Sequence, residues 1–94
     1  MSLSAPVIAV LGAGSWGTAL AILLARNGAE VRLWGLEQEI RALIKDGENR
    51  QFLPGIPFPD GLVPTLDLEQ ALDGADEVLV VVPSHAFPSL LESI

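Results

Sequence analysis

Residues 7–28 read VIAVLGAGSWGTALAILLARNG, and this stretch decides how the rest of the chain is interpreted. It opens with five consecutive apolar residues, Val7–Leu11, which are too few for an isolated helix and typical of a parallel strand covered on both faces. Three glycines with the spacing G-x-G-x-x-G follow at once. A proline-free apolar segment then runs to Asn27 and Gly28, a typical helix stop. The stretch therefore predicts a strand, a glycine-rich turn and a helix.

The spacing of the three glycines predicts a dinucleotide-binding turn. We expect Gly12 to make the tight turn, Gly14 to let a pyrophosphate approach the backbone, and Gly17 to let the helix pack closely on the strand. The N–H groups of the first helical turn would then face the phosphates. A tight turn without a ligand is the alternative, but the strand and helix on either side favour binding. The predicted contacts in this turn are Gly12, Ala13, Gly14, Ser15, Trp16 and Gly17, with packing at the helix start as the other interpretation of the Trp16 side chain.

A second strand is predicted at Glu30–Trp34, which completes a strand–helix–strand unit with a right-handed crossover. The end of this strand normally carries the group that recognises the adenosine ribose: an acidic residue for the 2′-hydroxyl or an arginine for a 2′-phosphate. Residues 35–37 are Gly-Leu-Glu, and Glu37 has the expected spacing from Gly17. The first turn of any helix also favours an acidic residue, so both interpretations of Glu37 stay open. The lack of a basic residue at 35–37 slightly favours NAD over NADP.

An amphipathic helix is predicted over Leu36–Asp46. Residues 48–64 contain four prolines and two glycines, which exclude a long helix or a central strand. Their apolar content favours an ordered loop packed on the core, with a disordered surface loop as the alternative, and Val63–Thr65 is predicted as a short edge strand. Asp67 and Gln70 predict the start of another helix, as a variant of the capping box.

Glu77–Val82 is the second continuous apolar strand, and we expect it to be covered on both faces and to lie beside the first strand. Its end would open into the crevice where ligands of such sheets bind. Phe87 either lies against a nicotinamide or adenine ring or packs in the core, and His85 is interpreted as a loop or helix-start residue. The predicted class is α/β: the first half of a doubly wound, Rossmann-type parallel sheet with three to four strands and crossover helices, truncated.

Composition excludes several classes of protein. The chain has 94 residues, 50% of them hydrophobic and 18% charged, and a net charge of −7. This acidic balance argues against nucleic acid or an anionic membrane surface as a partner. With no cysteine and one histidine, no metal site is expected. No apolar stretch is long enough to span a bilayer, and the start lacks the pattern of a signal peptide, so a cytoplasmic protein is expected.

Three segments together resemble one family. GAGSWGTALAILLARNGAEVRLWG (12–35), NRQFLPGIPFPDGL (49–62) and VVVPSHAF (80–87) are similar to the N-terminal portion of bacterial NAD(P)-dependent glycerol-3-phosphate dehydrogenase. The resemblance implies hydride transfer between NAD or NADP and the pair dihydroxyacetone phosphate and sn-glycerol 3-phosphate, for phospholipid synthesis. It places cofactor contacts at residues 12–17, with Ser15 and Trp16 as direct backbone ligands, and others at Leu36 and Phe87. Members that use NADP often carry a basic or histidine side chain at or next to the position of Leu36, so the preferred cofactor stays open.

The resemblance also implies what this chain lacks. The substrate-gripping and catalytic lysines of the family lie beyond residue 94, and the one lysine here is Lys45 on the amphipathic helix. We therefore expect residues 5–94 to form an incomplete NAD(P)-binding domain without the C-terminal helical substrate domain, with no catalytic residue and no activity alone. The small-molecule substrate would be a property of the parent protein. The apolar edge at Val78–Val82 suggests self-association, and a homo-oligomer is expected.

Two rival interpretations stay open. Another Rossmann dehydrogenase would share the glycine turn but not the segments 49–54 and 83–87. A non-catalytic nucleotide-binding module would need a chain that is designed to end near Ile94.

Overall fold

Four parallel strands form one sheet in the computed structural model, which describes residues 5–81. The strand order is β3-β2-β1-β4, with helices in the crossovers. This arrangement confirms the predicted fold class and the predicted place of the fourth strand beside the first. The elements are β1 (Val7–Leu11), α1 (Ser15–Arg26), β2 (Glu30–Trp34), α2 (Glu37–Asp46), β3 (Leu62–Thr65), α3 (Leu68–Leu72) and β4 (Glu77–Val80).

β1 is the centre of the sheet because its side chains are apolar on both faces. Residues 8–11 are at most 6% exposed. Leu11 is in register with Trp34 of β2 and with Val80 of β4, so three strands end at the same level. Backbone hydrogen bonds from Gly12 N to Trp34 O (2.6 Å) and from Val81 N to Leu11 O (2.8 Å) continue the pairing past β1. The carboxyl ends of these strands therefore form one edge, which we call the carboxyl edge.

The two long helices begin and end close to where the sequence predicts. α1 is followed by Asn27 as its C-cap and by Gly28 with a φ of 96°. α2 ends at Gly47, which has a φ of 67°. The predicted start of α2 at Leu36 is wrong by one residue, because Leu36 has the extended backbone of an N-cap and a side chain that is 65% exposed.

The proline-rich segment between α2 and β3 is a packed loop, as predicted. Leu53, Ile56 and Phe58 are partly buried against the core, and Glu48 bridges Pro57. The predicted short strand is present as β3, which pairs with β2 at the edge of the described sheet.

The cap of α3 differs in part from its prediction. Asp67 is the N-cap, and its side chain accepts from Glu69 N at 3.0 Å. The Gln70 side chain does not return to the Asp67 N–H, because its Oε1 accepts the hydroxyl of Thr65 (2.9 Å), and that same hydroxyl accepts from Asp67 N (3.2 Å). Threonine thus takes the place that glutamine holds in a capping box.

The prediction that the last strand is covered on both faces is wrong for the described residues. Val78 is 45% exposed and Val80 is 37% exposed. β4 lies at the edge of the described sheet, and α1 and α3 pack mainly over β1, β2 and β3. The described strand ends at Val80, and Val82 lies outside the described residues. No helix within residues 5–81 has the length and apolar character needed to cross a membrane.

Candidate functional site: the glycine turn at the carboxyl edge

The glycine turn connects β1 to α1 at the carboxyl edge. Gly12 has a φ of 130°, a conformation that a residue with a side chain rarely adopts, and its N–H extends the pairing with β2. The first hydrogen bond of α1 runs from Thr18 N to Gly14 O at 3.0 Å. The turn therefore reverses the chain within a few residues and aims the start of α1 at this edge.

The other two glycines of the turn have different reasons to be glycine. A Cβ atom at Gly17 would overlap the carbonyl oxygen of Gly12, so only glycine fits between α1 and the turn. Within residues 5–81, a Cβ atom at Gly14 would meet no atom within 4 Å. Packing thus explains Gly17 as predicted, whereas the packing of residues 5–81 does not require glycine at position 14.

The start of α1 offers backbone N–H groups at the carboxyl edge. Gly14 is the N-cap and has no side chain to cap the helix, and the first turn holds no acidic residue. The first N–H groups of a helix have no acceptor within it, and they lie at the positive end of the helix dipole. Ser15 is exposed, and the Trp16 side chain is 80% exposed, so Trp16 does not pack into the core of the described chain. This geometry suits an anion.

The end of β2 lies against the turn. A Cβ atom at Gly35 would come within 2.8 Å of the Ala13 Cβ and 2.9 Å of the Ala13 N. Gly35 therefore has a packing role that its sequence position did not indicate. The two residues that follow it, Leu36 and Glu37, are exposed. Glu37 Oε1 accepts from Arg41 at 2.9 Å, an exposed pair along the first turns of α2.

The structure thus places the predicted contacts at residues 12–17 at the carboxyl edge, where Gly35 meets Ala13 and Leu36 and Glu37 follow Gly35 along the chain. Phe87 and His85 lie outside the described residues.

Two polar residues behind the turn were not predicted. Thr18 is fully buried, and its hydroxyl donates to Ala13 O at 3.0 Å. Asn49, 5% exposed, comes from the loop after α2 and donates to the Thr18 hydroxyl at 2.9 Å. A threonine on the buried face of an otherwise apolar helix was the available signal, whereas nothing in the loop sequence indicates that Asn49 is buried.

Among the described residues, the hydrogen bonds and ion pairs of the Lys and Arg side chains are with groups outside the turn. The Arg32 guanidinium donates to the Gln70 and Asp73 carbonyl oxygens at the end of α3. Arg50 pairs with Glu48 at 3.0 Å. Arg26 and Lys45 lie in the last turns of α1 and α2. Together with Arg41, which pairs with Glu37, these are all five Lys and Arg residues. Arg50 also lines a cavity that Ala13 lines, and the start of α1 supplies the backbone dipoles that suit an anion.

Comparison with known proteins places this geometry in a family. Residues 7–94 match the family model described as the N-terminus of NAD-dependent glycerol-3-phosphate dehydrogenase. The glycerol-3-phosphate dehydrogenase (NAD(P)+) of Desulfotalea psychrophila is 57% identical over 100% of this chain, and the match covers 28% of that protein.

Solved structures agree. The crystal structure of glycerol-3-phosphate dehydrogenase from Coxiella burnetii superposes with a TM-score of 0.89 at 44% identity, over 97% of this chain and 28% of that one. The Plasmodium falciparum glycerol-3-phosphate dehydrogenase gives a TM-score of 0.77 at 29% identity, over 95% of this chain and 28% of that one. The chain thus spans about 28% of the length of these relatives. The resemblance seen in the sequence is confirmed: the chain belongs to the N-terminal family of NAD-dependent glycerol-3-phosphate dehydrogenases.

Proposed function

We propose that this chain is the dinucleotide-binding part of an enzyme that transfers hydride between NAD(H) or NADP(H) and the pair dihydroxyacetone phosphate and sn-glycerol 3-phosphate. The observation that carries the proposal is the open space at Gly14 beside an uncapped helix start. A pyrophosphate fits such a place, because it needs close backbone approach and N–H donors. The substrate and the choice of cofactors are taken from the related glycerol-3-phosphate dehydrogenases (NAD(P)+).

Each residue of the turn has a different proposed role in binding the pyrophosphate. Gly12 bends the chain, Ala13 and Gly14 bring the backbone close, and Ser15 and Trp16 present their N–H groups. Gly17 keeps the helix start next to the strand. The cofactor, when bound, supplies or accepts the hydride, and this chain binds and orients it.

The adenosine end of the cofactor is assigned to the end of β2. Leu36 is an exposed apolar surface beside the turn, and the Glu37 carboxylate is exposed at the same edge. A carboxylate there accepts hydrogen bonds from a ribose 2′-hydroxyl. Phe87 is proposed, from the sequence alone, as a contact of a cofactor ring.

The groups that bind the substrate and catalyse its reduction are proposed to lie in other parts of the full-length protein. Reduction of a carbonyl needs cations that stabilise the developing alkoxide and hold the substrate phosphate. The cations of this chain are engaged or placed elsewhere, as described above. We therefore propose that residues 5–94 are an incomplete NAD(P)-binding domain, completed in the full-length protein by a helical substrate domain. That protein is proposed to be a cytoplasmic homo-oligomer in phospholipid synthesis, without nucleic-acid binding or membrane insertion.

The test compares the full-length protein with the 94-residue chain. Calorimetric titration with NADH and NADPH is expected to show binding to the full-length protein, with turnover of dihydroxyacetone phosphate. The chain alone is expected to show no turnover, because the cations that act on the substrate are proposed to lie in the rest of the full-length protein. Absence of dinucleotide binding by the full-length protein would refute the proposal. Turnover by the chain alone would refute the claim that the catalytic groups lie outside these 94 residues.

Glu37→Gln in the full-length protein is expected to raise the affinity for NADPH relative to NADH by about five- to tenfold. The Glu37 carboxylate repels a 2′-phosphate, and its removal also releases Arg41 from the 2.9 Å ion pair. Titration of each variant with both cofactors gives the ratio. Glu39→Gln, in the same helical turn, is the matched control and should leave the ratio unchanged. An unchanged ratio in Glu37→Gln would remove Glu37 from the ribose site.

A further inference from the structure

A buried polar network ties the loop after α2 to the back of the glycine turn. The Asn49 Nδ2 lies 2.9 Å from the Thr18 Oγ1 and 3.4 Å from the Ala13 carbonyl oxygen. Thr18 Oγ1 lies 3.0 Å from the same carbonyl oxygen. Both side chains are buried, at 5% and 0% exposure. Two side chains from different elements therefore converge on one carbonyl of the proposed dinucleotide site.

The direction of each hydrogen bond follows from the partners. The Asn49 side-chain oxygen accepts the Phe52 N–H at 3.1 Å, so its amide nitrogen must be the atom that faces Thr18. That nitrogen can only donate, so the Thr18 hydroxyl accepts a hydrogen bond from it and donates one to the Ala13 carbonyl. No buried side-chain nitrogen or oxygen of the described residues is left without a partner. The network thus has a single consistent arrangement.

The network fixes the orientation of the peptide between Ala13 and Gly14. This peptide is trans, so its carbonyl and its N–H point in opposite directions. With the carbonyl held by Thr18 and Asn49 on the buried side, the Gly14 N–H faces away from them. Rotation of this peptide would turn a donor away from an approaching phosphate and leave the carbonyl oxygen in its place. Such an oxygen would repel the anion.

Loop packing alone does not account for Asn49. The loop is already attached through Leu53, Ile56 and Phe58, which pack against the core. A buried amide is costly unless all its groups are bonded, and an apolar side chain would anchor the loop without that cost. What an apolar side chain lacks is the donor that supports the Thr18 hydroxyl and the Ala13 carbonyl.

We propose that Asn49, acting through Thr18, is a positioning residue of the dinucleotide site: it locks the Ala13–Gly14 peptide with its N–H available to the pyrophosphate. This inference rests on the proposed function, and it adds a role for a residue that does not touch the cofactor. Asn49 is itself held in place by the loop, because its side-chain oxygen accepts the Phe52 N–H and its own carbonyl accepts from Leu53 N at 2.7 Å.

The test uses Asn49→Asp and Thr18→Val in the full-length protein. Asn49→Asp keeps the acceptor for Phe52 but replaces the donor with an oxygen, to which the Thr18 hydroxyl can turn and so release Ala13. Thr18→Val keeps the shape and removes the hydroxyl. Each is expected to weaken binding of NADH, and of ADP-ribose, which carries the same pyrophosphate, by about tenfold. The KM for NADH should rise while kcat and the KM for dihydroxyacetone phosphate stay near wild type.

Two controls separate positioning from loss of structure. Thr18→Ser restores the hydroxyl and should bind NADH within about threefold of wild type. Leu53→Ala removes an apolar side chain that packs the loop but keeps the Leu53 N–H that donates to the Asn49 carbonyl, so it should lower the melting temperature with little change in NADH affinity.

The inference is overturned if Asn49→Asp and Thr18→Val bind NADH like the wild type, or if Leu53→Ala weakens binding as much as they do. Failure of the wild-type protein to bind NADH would instead refute the proposed function. If Asn49→Asp does not fold, the pair Thr18→Val and Thr18→Ser decides the matter.

Discussion

Gly17→Ala is expected to lower the free energy of unfolding of the 94-residue chain by about 3 kcal/mol or more. The new Cβ atom would overlap the Gly12 carbonyl oxygen, which is backbone and has no freedom to move aside. Either α1 must shift away from the turn or the turn must leave its conformation. The higher helix propensity of alanine offsets at most about 1 kcal/mol of this loss. Urea unfolding followed by circular dichroism measures the change.

A small domain is only about 5–15 kcal/mol more stable than its unfolded state, so Gly17→Ala is also expected to reduce the yield of folded chain. Ala19→Gly, in the same helix, is a useful comparison because it changes helix propensity without a clash. Its loss should be about 1 kcal/mol. If Gly17→Ala unfolds at the wild-type urea concentration, the close packing of α1 on the turn is wrong.

Gly14→Ala is expected to leave stability within about 0.5 kcal/mol of the wild type and to weaken dinucleotide binding by the full-length protein about 10- to 100-fold. Its Cβ atom would meet nothing within 4 Å in the part of the chain that the structure describes, and its φ of −71° suits alanine. The methyl group would instead occupy the space proposed for the pyrophosphate and would prevent charge-assisted hydrogen bonds to the helix start. Calorimetric titration with NADH, beside a melting curve, separates the two effects.

Ser15→Ala is the matched control for Gly14→Ala. It alters the neighbouring side chain but keeps the N–H that is proposed to bind, so affinity for NADH should be unchanged. Tight NADH binding by a folded Gly14→Ala protein would show that the pyrophosphate does not bind at this turn. Equal losses in both variants would show that the Ser15 side chain, and not the backbone alone, makes the contact.

Local sequence was enough to predict most of the fold. Val7–Leu11 is unbroken and apolar, the glycines follow at once, and Asn27–Gly28 stops the helix, so each step is decided by neighbouring residues. The place of β4 beside β1 also followed, because it is the place that the strand has in the first half of a doubly wound sheet. The exposure of Val78 and Val80 could not be predicted in this way. The exposure depends on which helices pack over β4. The apolar side chains of the strand do not indicate which helices those are.

The site was predictable where it is built from one segment and not where it is assembled from several. Residues 12–17 carry their geometry in their own spacing. Gly35 and Asn49 matter because β2 and the loop after α2 bring them to Ala13, 22 and 36 positions away in the sequence. Neither has a local pattern that distinguishes it from an ordinary loop residue. Asn49 lies in a proline-rich segment, and the apolar residues of that segment are enough to explain why the loop is ordered. An asparagine there would therefore be interpreted as a surface residue.

The contrast between the two glycines of the turn has an evolutionary consequence. At Gly17 any side chain would overlap the Gly12 carbonyl and destabilise the fold, so selection for a stable protein favours this glycine whatever the protein is used for. At Gly14 the described part of the fold has room for a methyl group. In a duplicated gene that is no longer selected for dinucleotide binding, we therefore expect substitutions of Gly14 to accumulate before substitutions of Gly17. A descendant that keeps Gly17 but has lost Gly14 would be expected to fold without binding the dinucleotide.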